Sequence, residues 1–257
     1  IKDKKNYRED ANPSFLPEDW ERFKDVLYKF DQGHEDEYET WRRRWFINYV
    51  RFMYGGGFRP HESRKIRFGD VELNTKRKDG KPVAIIQIDS DTKTGRREMV
   101  MNGNTFKNLK YHLNKGIKIR NKQIREKNEK LLGGQKVHDF HNRSYKEPLP
   151  EVAAASKDDL LLMNPFLNGK RRIYHESYIR DWMNMVLSEC DFKNRYTIYS
   201  LRSTHISYQL IQDVPVYKVA KNVGTSTEMI QKTYDGLSTR YSTDQLGFFQ
   251  KAKEEDI

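Results

Sequence analysis

Cysteine is all but missing from the chain, with Cys190 the single one in 257 residues. That excludes an internal disulfide and a zinc site built on several thiolates, and it suits a reducing compartment. Long apolar runs are missing too, and with them any stretch that reads as a membrane span or a secretory signal. Histidines number only seven and are scattered. His138 and His141 in "HDFH" sit three apart with no set of carboxylates or thiols beside them, so a polar loop is expected there, with no metal site and no cofactor. No internal repeat and no low-complexity segment interrupts the sequence. Because the first residue is isoleucine, the expectation is a piece of a longer soluble, cytoplasmic protein.

What is abundant is positive charge. Lysine and arginine total 48 against 37 acidic residues, a formal charge of +11 with a pI near 9.4. A polyanionic partner is the natural inference, although a ribosomal protein, a membrane-surface protein and a DNA enzyme share such a balance. The length fits one large domain, or one domain with a small appendage.

The periodicity predicts a mainly α chain with a small three-stranded antiparallel β-sheet, an α+β class. "LPEDWERFKDVLYKF" begins with Pro17 at a first-turn position and repeats Trp20, Phe23 and Leu27 at helical spacing. "WRRRWFINYVRFMY" places Trp41, Trp45, Tyr49 and Phe52 on one face and runs into "GGGFRPHE", where a third, short helix starts near Pro60. From Arg67 the period becomes that of strands: "RFGDVELN", "PVAIIQID" and "RREMVMN" are short, β-branched and divided by turns. The second of these turns, "SDTKTG", carries Lys93 at its tip. A long helix follows at 105–132 with Phe106, Leu109, Leu113, Ile117, Ile124 and Leu131 inward, and then a long polar loop. Helices resume near "HESYIRDWMNMVLSEC", in which Trp182 and Met185 are read as core.

Four patches in order carry more than composition does. "GGGFRPHE" contains a Gly-x-Arg-x-x-Glu pattern at Arg59 and Glu62. "KTG" sets Lys93 on a strand-strand turn. "YSLR" ends at Arg202, and "GTSTEMIQKTY" runs from Gly224 to Tyr234. Together they resemble the tyrosine recombinases, in particular phage-type integrases, from about Trp20 to Tyr241. The resemblance implies a catalytic domain over 17–241, with 1–16 a remnant or linker and 242–257 a tail exchanged between subunits. It also implies that the family's N-terminal DNA-clamping domain is not in this stretch.

On that resemblance Arg59 and Arg202 are the two catalytic arginines, Glu62 is a structural carboxylate, Lys93 is the general acid and Tyr234 is the nucleophile. The residue types suit the chemistry. Two guanidiniums can bind the non-bridging oxygens of a pentacoordinate phosphorus through permanently charged forks. A lysine can protonate the departing 5′ oxygen, and a tyrosine of ordinary pKa about 10 needs nearby positive charge or a base to attack. Tyr241 is the nearest competitor to Tyr234, but the spacing from the Gly-Thr-Ser turn favours Tyr234. Two positions depart from the family pattern: Tyr199 and Thr225 stand where it has histidines. Both keep a hydroxyl that can donate to a phosphate oxygen, and neither is a good base near neutral pH. His205, three residues after Arg202, is a candidate for the missing imidazole, with a packed histidine as the default reading.

Arg64, Lys115, Lys118, Lys122, Arg171 and Arg172 are candidate DNA contacts, against the default of a solvated basic surface. The expected partner is double-stranded DNA with attachment-type sites. A homotetramer on DNA and a monomeric isolated fragment are expected, with no membrane. The setting would be a bacterial or phage-encoded nucleoid-associated protein. The alternatives are a DNA-binding protein that has lost efficient chemistry, and a relaxase of the type IB topoisomerase kind.

Overall fold

The computed structural model describes residues 12–74, 79–89, 96–138, 144–167 and 173–232. The first helix, α1 (Pro17–Leu27), has Pro17 at its start and Glu18 and Asp19 in its first turn, and it buries Trp20, Phe23 and Leu27. Ahead of it, Phe15 is buried and stacks on Tyr196 with ring centroids 3.8 Å apart. Residues 12–16 therefore pack on the same body as the helices.

Helix α2 (Glu37–Gly56) is the centre of the core. It begins four residues before Trp41 because the Asp36 carboxylate accepts the Glu39 backbone N–H at 2.9 Å, which satisfies one of the unpaired donors of the first turn. Trp41, Trp45, Phe46, Tyr49, Phe52 and Met53 are all buried along it, and side chains such as Phe46 and Phe52 each contribute on the order of 2–3 kcal/mol by leaving water. Against α2 pack α4 (Gly103–Leu132), α6 (Ile198–Ile211) and one strand of the sheet. Trp41 and His112 of α4 are stacked at 4.9 Å, and each side-chain nitrogen reaches the other residue's carbonyl at 3.0 Å.

After α3 (Pro60–Ser63) and a 3-10 turn at Phe68–Asp70 come β1 (Val71–Asn74), β2 (Val83–Ile88) and β3 (Arg97–Asn102). They form an antiparallel sheet in the order β1-β2-β3, with Val71 opposite Ile86 and Ile86 opposite Met99. One face, carrying Ala84, Ile86, Ile88, Met99 and Met101, is buried, as the period of two requires.

The loop after α4 is held to that helix by two asparagines seven residues apart. Asn128 donates to the Leu149 carbonyl at 2.9 Å and accepts its N–H at 2.7 Å, and Asn121 does the same for Val152. Beyond it lie α5 (Glu176–Ser188), α6, α7 (Val216–Val223) and a helical stretch at 227–232. Two inward expectations are corrected. Met185 is 45% exposed, because α5 buries the stripe Ile179, Trp182, Met183 and Val186 and leaves Met185 beside it. Leu131, in the last turn of α4, is only half-buried. Among the described residues no helix is long and apolar enough to cross a membrane.

Candidate active site

The site begins where α2 stops. Gly57 takes a φ of 62° and closes the helix with its N–H on the Met53 carbonyl, a left-handed conformation that glycine adopts without steric cost. A Cβ at Gly57 would lie 2.5 Å from the His205 ring, so this turn also needs the missing side chain in order to pack against α6. Two residues later Arg59 leads into α3. Its backbone N–H donates to Glu62 Oε2 at 3.2 Å, and its Nη1 donates to Glu62 Oε1 at 2.8 Å. The Glu62 carboxylate thus holds the start of α3 and the Arg59 guanidinium together.

The remaining Arg59 contact crosses 165 positions of sequence: Nη2 donates to the Gly224 carbonyl at 2.6 Å. Gly224 ends α7 with a φ of 69°, and the Thr225 N–H returns to the Ala220 carbonyl at 3.0 Å. This closure leaves the Val223 and Gly224 carbonyls without helical partners, at the end where the aligned peptide dipoles favour cations. Arg202, buried on α6, supplies one such cation, its Nη1 donating to Val223 O at 2.8 Å and to Gly57 O at 2.6 Å. A single guanidinium therefore joins the C-terminal ends of α2 and α7.

A third guanidinium was not picked out from the sequence. Arg97, the first residue of β3, donates through Nη1 and Nη2 to the two oxygens of Glu62 at 3.2 and 2.9 Å, and through Nη2 to Val223 O at 3.3 Å. Its side chain is only 8% exposed. The signal that marks it is parity, since Arg97 shares strand face with the buried Met99 and Met101, an unusual place for a charge.

Burial alone would raise the Glu62 pKa. The Arg97 and Arg59 guanidiniums outweigh that and hold it at about 2, so the carboxylate is ionised and the cluster of three arginines and one glutamate keeps a net positive charge. His205 is lowered too, but by a different cause: burial, with the nearby Arg202 charge adding to it, brings its pKa to about 4 despite a hydrogen bond to the Tyr54 backbone. Its imidazole is a neutral, packed group at ordinary pH.

Tyr199 lies one helical turn before Arg202 with 39% of its surface exposed, its N–H held by Thr197 Oγ1 at 3.1 Å. Thr225 is half-buried directly after the Gly224 turn. Lys93, Tyr234, Tyr241, Arg171 and Arg172 lie outside the described residues. Arg64 is occupied within the fold, ion-paired with Glu176 and donating to the Tyr174 carbonyl at 3.3 Å. Lys115, Lys118 and Lys122 are exposed on α4. Among the described residues no three histidine, cysteine or acidic side chains group so as to hold a metal ion.

No protein-family model matches the chain, and no curated protein matches it either. Solved structures do. The XerH site-specific recombinase bound to palindromic difH substrate, a post-cleavage complex, aligns with a TM-score of 0.57 at 14% identity, over 93% of this chain and 53% of that one. The XerA recombinase aligns at 0.53 with 15% identity, over 91% and 64%. The Tn1549 transposon integrase in complex with transposon right end DNA aligns at 0.51 with 14% identity, over 93% and 68%. The chain spans about half the length of the XerH recombinase. At such identities the matches establish the fold, and the mainly α chain with its small antiparallel sheet has the fold of the tyrosine recombinase catalytic domain.

Proposed function

We propose that the protein is a site-specific DNA recombinase that cleaves and rejoins double-stranded DNA through a 3′-phosphotyrosyl intermediate. The observation that carries this reading is the convergence of Arg59 and Arg202 on the end of α7, where Gly224 stands immediately before Thr225 and ten residues before Tyr234 in the sequence. In this reading the Tyr234 hydroxyl oxygen attacks the scissile phosphorus, the bond from phosphorus to the 5′ oxygen breaks, and Lys93 gives that oxygen a proton. The tyrosine's own proton passes to solvent or to a neighbouring group as the bond to phosphorus forms. Arg59 and Arg202 stabilise the charge that builds on the non-bridging oxygens. The Tyr199 and Thr225 hydroxyls donate to the same oxygens in place of imidazoles. Because the new phosphodiester conserves the bond, the reverse attack by a 5′ hydroxyl rejoins the strand with no external energy source, and no step calls for a cofactor.

Lys115, Lys118 and Lys122, together with Arg171 and Arg172, are proposed to follow the DNA backbone. Residues 242–257 are proposed to dock on a neighbouring subunit of a tetramer on DNA. The test is covalent capture: the protein is incubated with nicked duplexes carrying a candidate attachment site and resolved on a denaturing gel beside Tyr234→Phe. A shifted band present in wild type and absent in the variant supports the reading. Strand exchange between two labelled duplexes separates it from a monomeric relaxase.

A second reading draws on the neutral, packed state of His205 and on the absence of histidine at positions 199 and 225. A protein that binds DNA without cutting it would retain the arginines and the fold. A binding shift without any covalent band favours that reading.

A further inference from the structure

Arg97 meets Glu62 as a fork. Both of its terminal nitrogens reach the carboxylate, one on each oxygen, at 3.2 and 2.9 Å. The same two oxygens hold Arg59, through its side chain at 2.8 Å and its backbone N–H at 3.2 Å. Glu62 is thus a shared acceptor between two guanidiniums, and the orientation of one constrains the other. Arg97 also reaches Val223 O at 3.3 Å, the carbonyl that Arg202 holds at 2.8 Å. Its guanidinium lies close enough to Gly224 that a Cβ there would meet Arg97 Cζ and Nε at 2.5 Å.

Arg97 does not act alone at this junction. On the outer edge of the sheet, Asn222 of α7 accepts the Val100 N–H at 2.7 Å and donates to the Val100 carbonyl at 3.2 Å. Strand β3 and the end of α7 are therefore joined twice, once by an amide pair and once by Arg97. In the sequence, Lys93 lies four residues ahead of Arg97.

We propose that Arg97 is a positioning residue of the site, acting through Glu62 on Arg59 and through Val223 and Gly224 on the turn that precedes Tyr234. The assignment rests on the recombinase reading. It places Arg97 behind the phosphate-binding groups, so its contribution appears wherever the reaction depends on where Arg59 and Arg202 stand. A fork is required rather than a charge, because a lysine ammonium is a point donor that cannot engage both carboxylate oxygens in one plane.

The test uses Arg97→Gln and Arg97→Lys on nicked duplexes with either an ordinary phosphodiester or a methylphosphonate at the scissile position. The methylphosphonate replaces a charged non-bridging oxygen by a methyl group, which lessens the transition state's demand on the arginines. Both variants are expected to slow single-turnover cleavage of the phosphodiester about 10²-fold while DNA affinity stays within about twofold. On the methylphosphonate the gap to wild type is expected to close to about threefold. Undiminished cleavage of the phosphodiester overturns the assignment, and so does an equal loss on both substrates, which is what a general packing defect gives. Arg97→Lys retains the buried charge and keeps the test decisive should Arg97→Gln fail to fold. A wild-type protein that captures neither substrate contradicts the recombinase reading itself, and the assignment falls with it.

Discussion

Glu62 accepts four hydrogen bonds at the site, two from Arg59 and two from Arg97. It is 2% exposed between two arginines, and removing one partner of a buried ion pair typically costs about 3–5 kcal/mol because the other charge is left uncompensated. Glu62→Gln is therefore expected to lower unfolding stability by roughly that amount in urea titration, and to weaken cleavage beyond what the stability loss explains. The pH dependence follows from the sign of the shift. A carboxylate lowered from 4.5 to about 2 binds fewer protons folded than unfolded, so its contribution is complete above pH 4.5 and disappears as the pH falls towards 2. His205 and His112, both lowered to about 4, likewise stabilise the fold above pH 6.5 and less as the pH drops towards 4. Thermal melts should decline across that upper window, and His205→Phe should flatten part of the decline. The pH-rate profile of cleavage near neutrality should not move in this variant, because the imidazole is packed. A displaced profile would restore His205 as a candidate proton acceptor.

At the scale of elements, side-chain amides fasten backbone that secondary structure leaves unpaired. β3 is an edge strand, and Asn222 pairs with both polar groups of Val100. Asn222→Ala should cost about 1 kcal/mol and speed hydrogen exchange at the Val100 amide; unchanged exchange would contradict the latch. Asn128→Ala should release Leu149 in the same way and make the loop after α4 a preferred proteolytic site. Gly224→Ala is the harsher change, since it combines a left-handed φ with a collision against Arg97. The helices and strands were legible because their apolar periods are strong: Trp41, Trp45, Tyr49 and Phe52 repeat as a helix, while Ala84, Ile86 and Ile88 alternate as a strand. The amide latches were not, because an asparagine on a helix looks solvated until the loop it holds is placed. Met185 misled because it lies next to the buried stripe of α5 in sequence and off it in space.

For the whole molecule, motif order placed Arg59, Glu62, Arg202 and Gly224 in one neighbourhood, and the fold brings those four together across 165 positions. Arg97 escaped because its partner is 35 residues away, a pairing that local pattern does not encode; only its parity with Met99 and Met101 pointed inward. With the proposed DNA partner, the net charge of +11 predicts binding that weakens steeply with salt, about 10³-fold between roughly 50 and 200 mM for a surface neutralising some six phosphates. Fluorescence anisotropy on a labelled duplex measures this, and a flat salt response would exclude an extended phosphate-contacting surface. The central claim is chemical, and it is tested most directly by locating the covalent link. The protein captured on a nicked attachment-site duplex is digested, and the nucleotide-bearing peptide is sequenced by mass spectrometry. A 3′-phosphate joined to Tyr234 is the result predicted here; a link to Tyr241 or another tyrosine, or no link on DNA that the protein demonstrably binds, would contradict it.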